Sequence, residues 1–298
     1  MSIETEFRCG YIAIVGRPNV GKSTLLNAIL GQKLSITSRK PQTTRHRILG
    51  IKTTDFSQSI YVDTPGLHRD RTRALNRYMN QAAATAVDDV DIVILVIDAR
   101  SWTDEDDAVL RIIKRSKVKC LIVLNKVDQL SRRSELFPLL QDISKRAEFE
   151  EIIPISALKG DNITSLEKVV ESLLPITPAM FPEDQLTDRS TRFVVAEIVR
   201  EKFIEHLGQE LPYRLTIEIE YFEESTQEVN IGAVIWVERK GQKGIVIGKQ
   251  GRIMKSVGIE ARNELQTLLG LKVNLKLWAK VKEGWSNNTR ALTALGYD

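Results

Sequence analysis

Two glycines, a lysine and a serine fall at fixed spacing in the octapeptide GRPNVGKS, which runs Gly16, Arg17, Pro18, Asn19, Val20, Gly21, Lys22, Ser23. A polyphosphate needs these residue types. Glycines let the backbone fold tightly and aim successive N–H groups at an anion on a helix N-terminus. Lys22 adds a point charge between the outer phosphates, and Ser23 offers a hydroxyl to magnesium, which otherwise takes oxygen from phosphate, water and carboxylate. Thr24 follows in the same turn. Alone, the octapeptide also fits a structural glycine turn, so its companions decide.

Tyr61–Gly66 reads YVDTPG after an extended run. Asp63 is placed to hold magnesium through water, and Thr64 and Pro65 lead to Gly66, whose N–H can meet the terminal phosphate. Without the phosphate loop, a strand entering a Pro-Gly turn would be the better reading. Farther on, the apolar run Leu121–Leu124 ends in Asn125, Lys126, Val127 and Asp128. Asp128 can accept hydrogen bonds from the ring N–H and exocyclic amine of guanine, a pattern adenine does not present. A buried polar group left unpaired by the wrong base lets such a site discriminate by about 10⁴. Asn125 ties the base loop to the phosphate loop, the Lys126 stem covers the base face, and Ser156 and Ala157 at the end of IPISA turn backbone toward the guanine carbonyl. These motifs in this order predict binding of GTP and GDP and hydrolysis of GTP.

The groups expected at the reacting phosphate are Lys22, Asn19 and Gly66, and the magnesium set is Ser23, Asp63 and one of Thr43 and Thr44. Both threonines lie in a polar stretch after the first helix, a switch loop in character, and the spacing leaves the choice open. Arg39, Lys40, Arg45 and Arg47 around them read as a solvated segment. Many GTPases place a glutamine just after the aspartate-to-glycine segment to orient water, but Leu67 stands there. Unaided turnover is therefore expected to be slow, roughly 10⁻⁴ to 10⁻² s⁻¹. His46 and His68 lie near the site without a partner arrangement for general-base work.

A second glycine loop, Gly248, Lys249, Gln250, Gly251, opens a helical run and is followed by Arg252 and Lys255. Here glycines let a sugar-phosphate backbone press against the main chain. Arg239, Lys240 and Lys243 extend the cluster, and no acid interrupts it from Arg239 to Lys255. Single-stranded RNA, clamped by its backbone with bases on an apolar groove, is the expected ligand; a plain glycine-rich helix entry is the alternative. Trp285 either stacks a base or pins the tail, and the lysines of Leu271–Val281 read as a solvated strand face.

These loops need elements to hold them. From Tyr11 to Pro175, apolar runs alternate with helical stretches, which predicts an α/β fold with a mostly parallel sheet, helices on both faces and the loops at the strands' carboxyl ends. Pro175, Pro178 and Pro182 then mark a stiff extended linker. The expected organisation is a nucleotide domain over residues 1–178, a linker over 179–189 and an α+β RNA-binding domain over 190–298. The last runs helix, strand, strand, helix, helix, strand, with Arg252–Leu269 broken at Gly258. At 298 residues and 42% hydrophobic the chain can bury two cores, and a net charge of +4 permits a polyanionic partner. Cys9 and Cys120 are too few for a disulfide framework or metal site, the start MSIETEFRCG carries acids and lacks the apolar core of a signal peptide, and no run approaches membrane-spanning length, so a cytoplasmic chain is expected. It is expected as a monomer, though the residues do not give the oligomeric state.

The chain resembles the Era family of bacterial GTPases along essentially its whole length. The resemblance rests on GRPNVGKS, QTTRH at Gln42–His46, DTPGLH at Asp63–His68, NKVD at Asn125–Asp128, the Ser156-Ala157 pair and VIGKQG at Val246–Gly251. It implies a type II KH domain at the carboxyl end, binding near the 3′ end of small-subunit (16S) ribosomal RNA, a role in processing that RNA and assembling the 30S subunit, and peripheral association with the inner membrane. Asn19 is similar to the asparagine that helps related GTPases hold a monovalent cation, which implies potassium beside magnesium; a loop residue making only backbone contacts is the alternative. Two rivals remain: a nucleotide-gated adaptor whose basic loop serves anionic lipid, and a tRNA-modifying GTPase, for which no modification chemistry is visible.

Overall fold

Strands buried on both faces read as near-continuous apolar runs, and in the first sheet Ile92–Ile97 and Leu121–Leu124 show that pattern. The computed structural model describes residues 6–38, 40, 43–66, 74–208, 211–295 and 297. Along the first part run β1 (Arg8–Val15), α1 (Lys22–Leu30), β2 (Ile48–Thr53), β3 (Ser57–Asp63), α2 (Ala74–Thr85), β4 (Ile92–Asp98), α3 (Asp104–Ser116), β5 (Lys119–Asn125), α4 (Leu136–Ser144), β6 (Glu151–Pro154) and α5 (Ile163–Leu173). The sheet order is β2-β3-β1-β4-β5-β6. Only the β2–β3 pair is antiparallel. All seven residues of β3 and of β4 are buried. On one face Val93, Leu95, Ile122 and Leu124 pack against Val109, Leu110 and Ile113 of α3 and Ile143 of α4.

Parallel register brings the strand ends to one edge. Ile14 pairs with both Asp63 and Ile94, and Asp98 pairs with Asn125. Every loop that follows a parallel strand therefore emerges beside its neighbours, which places ligands at this edge. The proline-marked segment, expected to be a stiff extended linker rather than a packed element, forms no helix or strand but turns at Pro182–Gln185 and is hydrogen-bonded to the sheet. Gln58 Oε1 accepts from the Met180 and Phe181 N–H groups at 2.8 and 2.9 Å, and Ile176 and Thr187 bridge to Arg8 and Gly50.

The chain divides into two compact units, and the second comprises Arg189–Asp298 together with Ile36–Thr43 and a short stretch ending at Tyr78. Its elements are α6 (Thr191–His206), β7 (Leu215–Glu224), β8 (Glu228–Val237), α7 (Lys240–Ile247), α8 (Arg252–Leu269), β9 (Lys272–Val281) and α9 (Thr289–Ala294). The α-β-β-α-α-β order agrees with the sequence reading, with α9 added. In the sheet β7-β8-β9, β7 is antiparallel to β8 and β8 parallel to β9. Val199, Phe203, Val257 and Ala261 from α6 and α8 cover Ile217, Ala233, Ile235 and Ala279 of the sheet.

One expectation is corrected here. Helix α8 runs unbroken through Gly258, because Val257, Ala261 and Leu265 bury one face of it. A mid-helix glycine costs about 1 kcal/mol, which burial of those three side chains exceeds. Gly258 also faces the sheet, where an added Cβ would lie 3.5 Å from Leu277.

Candidate functional site

The loop between β1 and α1 is fixed by what touches it. Gly21 adopts φ 100°, and a Cβ there would lie 2.3 Å from Asn125 Nδ2, so only glycine admits the Asn125 side chain. Asn125 Nδ2 donates to Val20 O at 2.9 Å, while its Oδ1 accepts from the N–H groups of Lys126 and Ala157 at 2.8 and 2.9 Å. One amide thus joins three of the motifs. Lys126 Nζ reaches Asn19 O at 2.6 Å. Ser156 Oγ donates to Asp128 Oδ1 at 2.6 Å, orienting the exposed carboxylate beside a pocket lined by Val127, Leu130, Leu136, Pro154 and Asn162.

Lys22 is 6% exposed, and its Nζ donates to Gly16 O and Arg17 O at 3.0 and 3.1 Å. Burial lowers its pKa to about 8, although the Asp63 charge opposes the change. Ser23 Oγ lies 2.7 Å from Asp63 Oδ2 and 2.8 Å from Thr44 Oγ1, and Ser35 Oγ donates to the same Asp63 oxygen at 2.8 Å. Burial raises the Asp63 pKa, opposed by the hydrogen bond from Ser23 and the charge of Lys22. Asp63 Oδ1 is buried with no hydrogen-bond partner among the described residues. Hydroxyl oxygens gathered on one oxygen of a carboxylate whose other oxygen has no partner fit a magnesium ion. Thr64 Oγ1 donates to Ile14 O at 3.0 Å, and a Cβ on Gly66 would come within 3.1 Å of the Pro18 backbone, so the two loops abut.

Geometry separates the two threonines. Thr44 stands at Ser23, whereas the Thr43 hydroxyl donates to Lys40 O at 2.7 Å and the Thr43 carbonyl accepts from Arg200, itself paired with Glu197. Of the two hydroxyls, that of Thr44 is the one bonded to Ser23. Arg45 and His46 are buried rather than solvated. Thr24 is half-buried on α1, and Asn19 is exposed with φ 63°. Arg39, Gln42, Leu67 and His68 lie outside the described residues.

Three residues at this edge belong to none of the spaced motifs. Asp98, Asp106 and Ser35 are all buried within hydrogen-bond reach of the named motifs. An acid closing an apolar strand run, as Asp98 does, was the available signal.

The second loop is built differently. Gly248 (φ 75°), Lys249, Gln250 (φ 52°) and Gly251 make a short turn between α7 and α8. A Cβ on Gly248 would meet Ile253 Cγ1 at 2.8 Å. Arg239, Lys240, Lys243, Lys249, Gln250, Arg252 and Lys255 are exposed, and Ile245 beside them is 55% exposed. Trp285 is fully buried, with its ring centroid 6.1 Å from that of Tyr297, so it pins the tail and stacks no base. On the strand face of β9, Lys272 and Lys276 are exposed as expected, while Lys280 pairs with Glu220 at 3.0 Å and sits near the Trp236 and Trp278 rings.

Comparison with known proteins adds to this geometry. A family model described as 50S ribosome-binding GTPase matches residues 11–126, and a KH domain model matches residues 210–286. The GTPase Era of Marinobacter nauticus is 56% identical, covering 98% of this chain and 95% of its own. That of Azotobacter vinelandii is 55% identical over 100% and 99%. Two solved structures superpose with TM-score 0.94 at 38% identity, covering 98% of this chain and 99% of theirs. One is an Aquifex aeolicus Era variant bound to GDP and AlF4⁻; the other is Era with MgGDPNP and nucleotides 1506–1542 of 16S ribosomal RNA.

Proposed function

The chain belongs to the Era family of GTPases, and from that premise we propose that it clamps the 3′ end of small-subunit ribosomal RNA under control of the bound nucleotide. In this reading it assists 16S RNA processing and 30S assembly. The observation that supports it is the pairing, in one chain, of the Asn125-centred phosphate and base loops with the exposed cationic turn at Gly248–Gly251.

Ser23, Thr44 and Asp63 would hold magnesium, which when bound supplies positive charge between the outer phosphates. Backbone N–H groups of the Gly16–Gly21 loop and the Lys22 ammonium bind the phosphates, Gly66 N–H meets the terminal one, and Asp128 reads guanine. The exposed Asn19 would, by its likeness to the asparagine of related GTPases, help hold a monovalent cation beside the phosphates. Equal turnover in potassium and sodium chloride would remove that part of the reading. Among the described residues no helix is long and apolar enough to cross a membrane. Peripheral inner-membrane association of a cytoplasmic protein therefore rests on the family resemblance, and flotation with anionic vesicles tests it.

The deciding experiment is binding of an RNA copying the 3′ end of 16S ribosomal RNA, with GDP and with GDPNP, at two salt concentrations. Tighter binding with GDPNP, kept at the higher salt, is expected. Equal, weak, salt-sensitive binding would indicate charge attraction alone and favour the adaptor.

A further inference from the structure

Strand β4 lies between β1 and β5 in the sheet. The segment leaving β4 must therefore emerge between the phosphate loop, which follows β1, and the base loop, which follows β5. None of the nucleotide motifs includes this segment, yet it carries two buried carboxylates, Asp98 at 2% and Asp106 at 0% exposure. Each reaches a cation in a different motif. Asp98 Oδ2 accepts from Lys126 Nζ at 3.0 Å, and both Asp98 oxygens accept from the Arg100 guanidinium at 2.6 and 2.8 Å. Asp106 Oδ2 accepts from Arg17 Nε at 3.2 Å and from the N–H and hydroxyl of Thr103, both at 2.9 Å.

We propose that Asp98 and Asp106 are positioning residues for the nucleotide site, one holding Lys126 over the base and the other holding Arg17 in the phosphate loop. The inference rests on the nucleotide-site reading above. Three observations carry it. The lysine that Asp98 holds also bonds Asn19 O at 2.6 Å, so its ammonium is fixed between β4 and the phosphate loop. Burial would push the Asp98 carboxyl up, but the bonds from Arg100 and Lys126 prevail and hold it well below the usual carboxylate range. Asp106 is fully buried although its Oδ1 has no partner among the described residues, and an unpaired buried acceptor is destabilising. Asp106 closes the capping box at the start of α3, where Thr103 is the N-cap, and a neutral amide side chain accepts from the N-cap N–H as well. The Arg17 guanidinium is what a carboxylate adds here.

The two carboxylates should differ kinetically. Lys126 touches groups that are the same in ground and transition states, so Asp98→Asn should weaken GDP about five- to tenfold and raise KM for GTP alike, with kcat falling less than twofold. Arg17 belongs to the loop around the reacting phosphates, so Arg17→Gln and Asp106→Asn should each lower kcat by about three- to tenfold. The double variant should be no worse than the weaker single, because both remove one contact. Arg17→Lys, which keeps the charge, should recover part of the loss.

The test uses the full chain, with GDP affinity by calorimetry, GTP steady-state kinetics and the melting temperature of each variant. Failure of the parent chain to bind GDP would refute the nucleotide-site reading itself. A parent that binds, with Asp98→Asn within twofold of it, or Arg17→Gln and Asp106→Asn effects that multiply, would overturn the positioning role. A purely structural role predicts lower melting temperatures with kcat and KM unchanged in the folded protein. Should Asp106→Asn not fold, Arg17→Gln probes the same pair from its more exposed side.

Discussion

The two glycine loops of this chain, Gly16–Gly21 and Gly248–Gly251, have similar composition and opposite surroundings. Around the first, Lys22, Asp63, Asn125, Ser156 and Asp106 are all buried, and each polar group is aimed by another. Around the second, Lys249, Gln250, Arg252 and Lys255 are exposed, and only Gly248 is confined by a packed neighbour, Ile253. A ligand of the first loop meets groups already fixed, so losing one leaves others buried and unpaired. A ligand of the second meets mobile charges in water, where each contact is screened and replaceable. Single substitutions should therefore have large, salt-insensitive effects at the first loop and small ones at the second, salt-sensitive where they change a charge.

The largest expected effect is at Asp128. Asp128→Ala removes the acceptor for both guanine donors and frees Ser156 Oγ, which now donates to it at 2.6 Å. GDP affinity should fall by about 10³-fold or more, at low and at high salt alike. A loss below about tenfold, measured by calorimetry, would mean that the base is not read here and would erase the contrast between the loops.

Intermediate effects belong to the RNA turn. Lys249→Asp reverses one exposed charge, so RNA affinity should fall about tenfold at low salt, with the salt slope reduced by about one phosphate contact. Gly248→Ala acts through shape, because φ 75° and the approach to Ile253 exclude a Cβ without movement of the turn. It should lower RNA affinity by a similar factor while leaving the salt slope unchanged, and GDP affinity should stay within twofold for both variants. A flat response to Lys249→Asp would remove the cationic turn from the RNA reading.

Much of this contrast is legible in the sequence, because both loops announce themselves by spacing within one short segment. Strand ends were legible in part, since Ile92–Ile97 and Leu121–Leu124 are unbroken apolar runs that lead to Asp98 and Asn125, whereas β3 opens with the polar Ser57, Gln58 and Ser59 before it reaches Asp63. What spacing does not carry is adjacency between strands. Asp98 and Asp106 gain their partners only because β4 lies between β1 and β5, an order set by three-dimensional packing. The choice of Thr44 over Thr43 is likewise geometric, since neighbouring threonines have the same chemistry and differ only in where the loop turns each hydroxyl. Gly258 misleads for a related reason: its local preference is overridden by burial of Val257, Ala261 and Leu265.

The smallest expected effect tests burial itself as the source of the difference. Burial lowers the Lys22 pKa from 10.5 to about 8, whereas Lys249 is exposed to water. Phosphate oxygens favour the ammonium form, so above pH 8 GDP binding must take up a proton, and affinity falls as pH rises. The expected loss between pH 7 and pH 8.5 is about fourfold, by proton linkage. Stability of the free protein should move the other way over the next units. The unfolded chain holds the lysine proton up to its ordinary value, so between about pH 8 and 10.5 this group makes folding more favourable as pH rises. Calorimetric titration of GDP at pH 7, 7.75 and 8.5 reads the effect, with Lys22→Gln as a weaker binder whose affinity does not vary over that range. A pH-independent parent chain would show that water reaches Lys22 as freely as it reaches Lys249, and the difference between the two loops would then have to come from hydrogen-bond geometry rather than from burial.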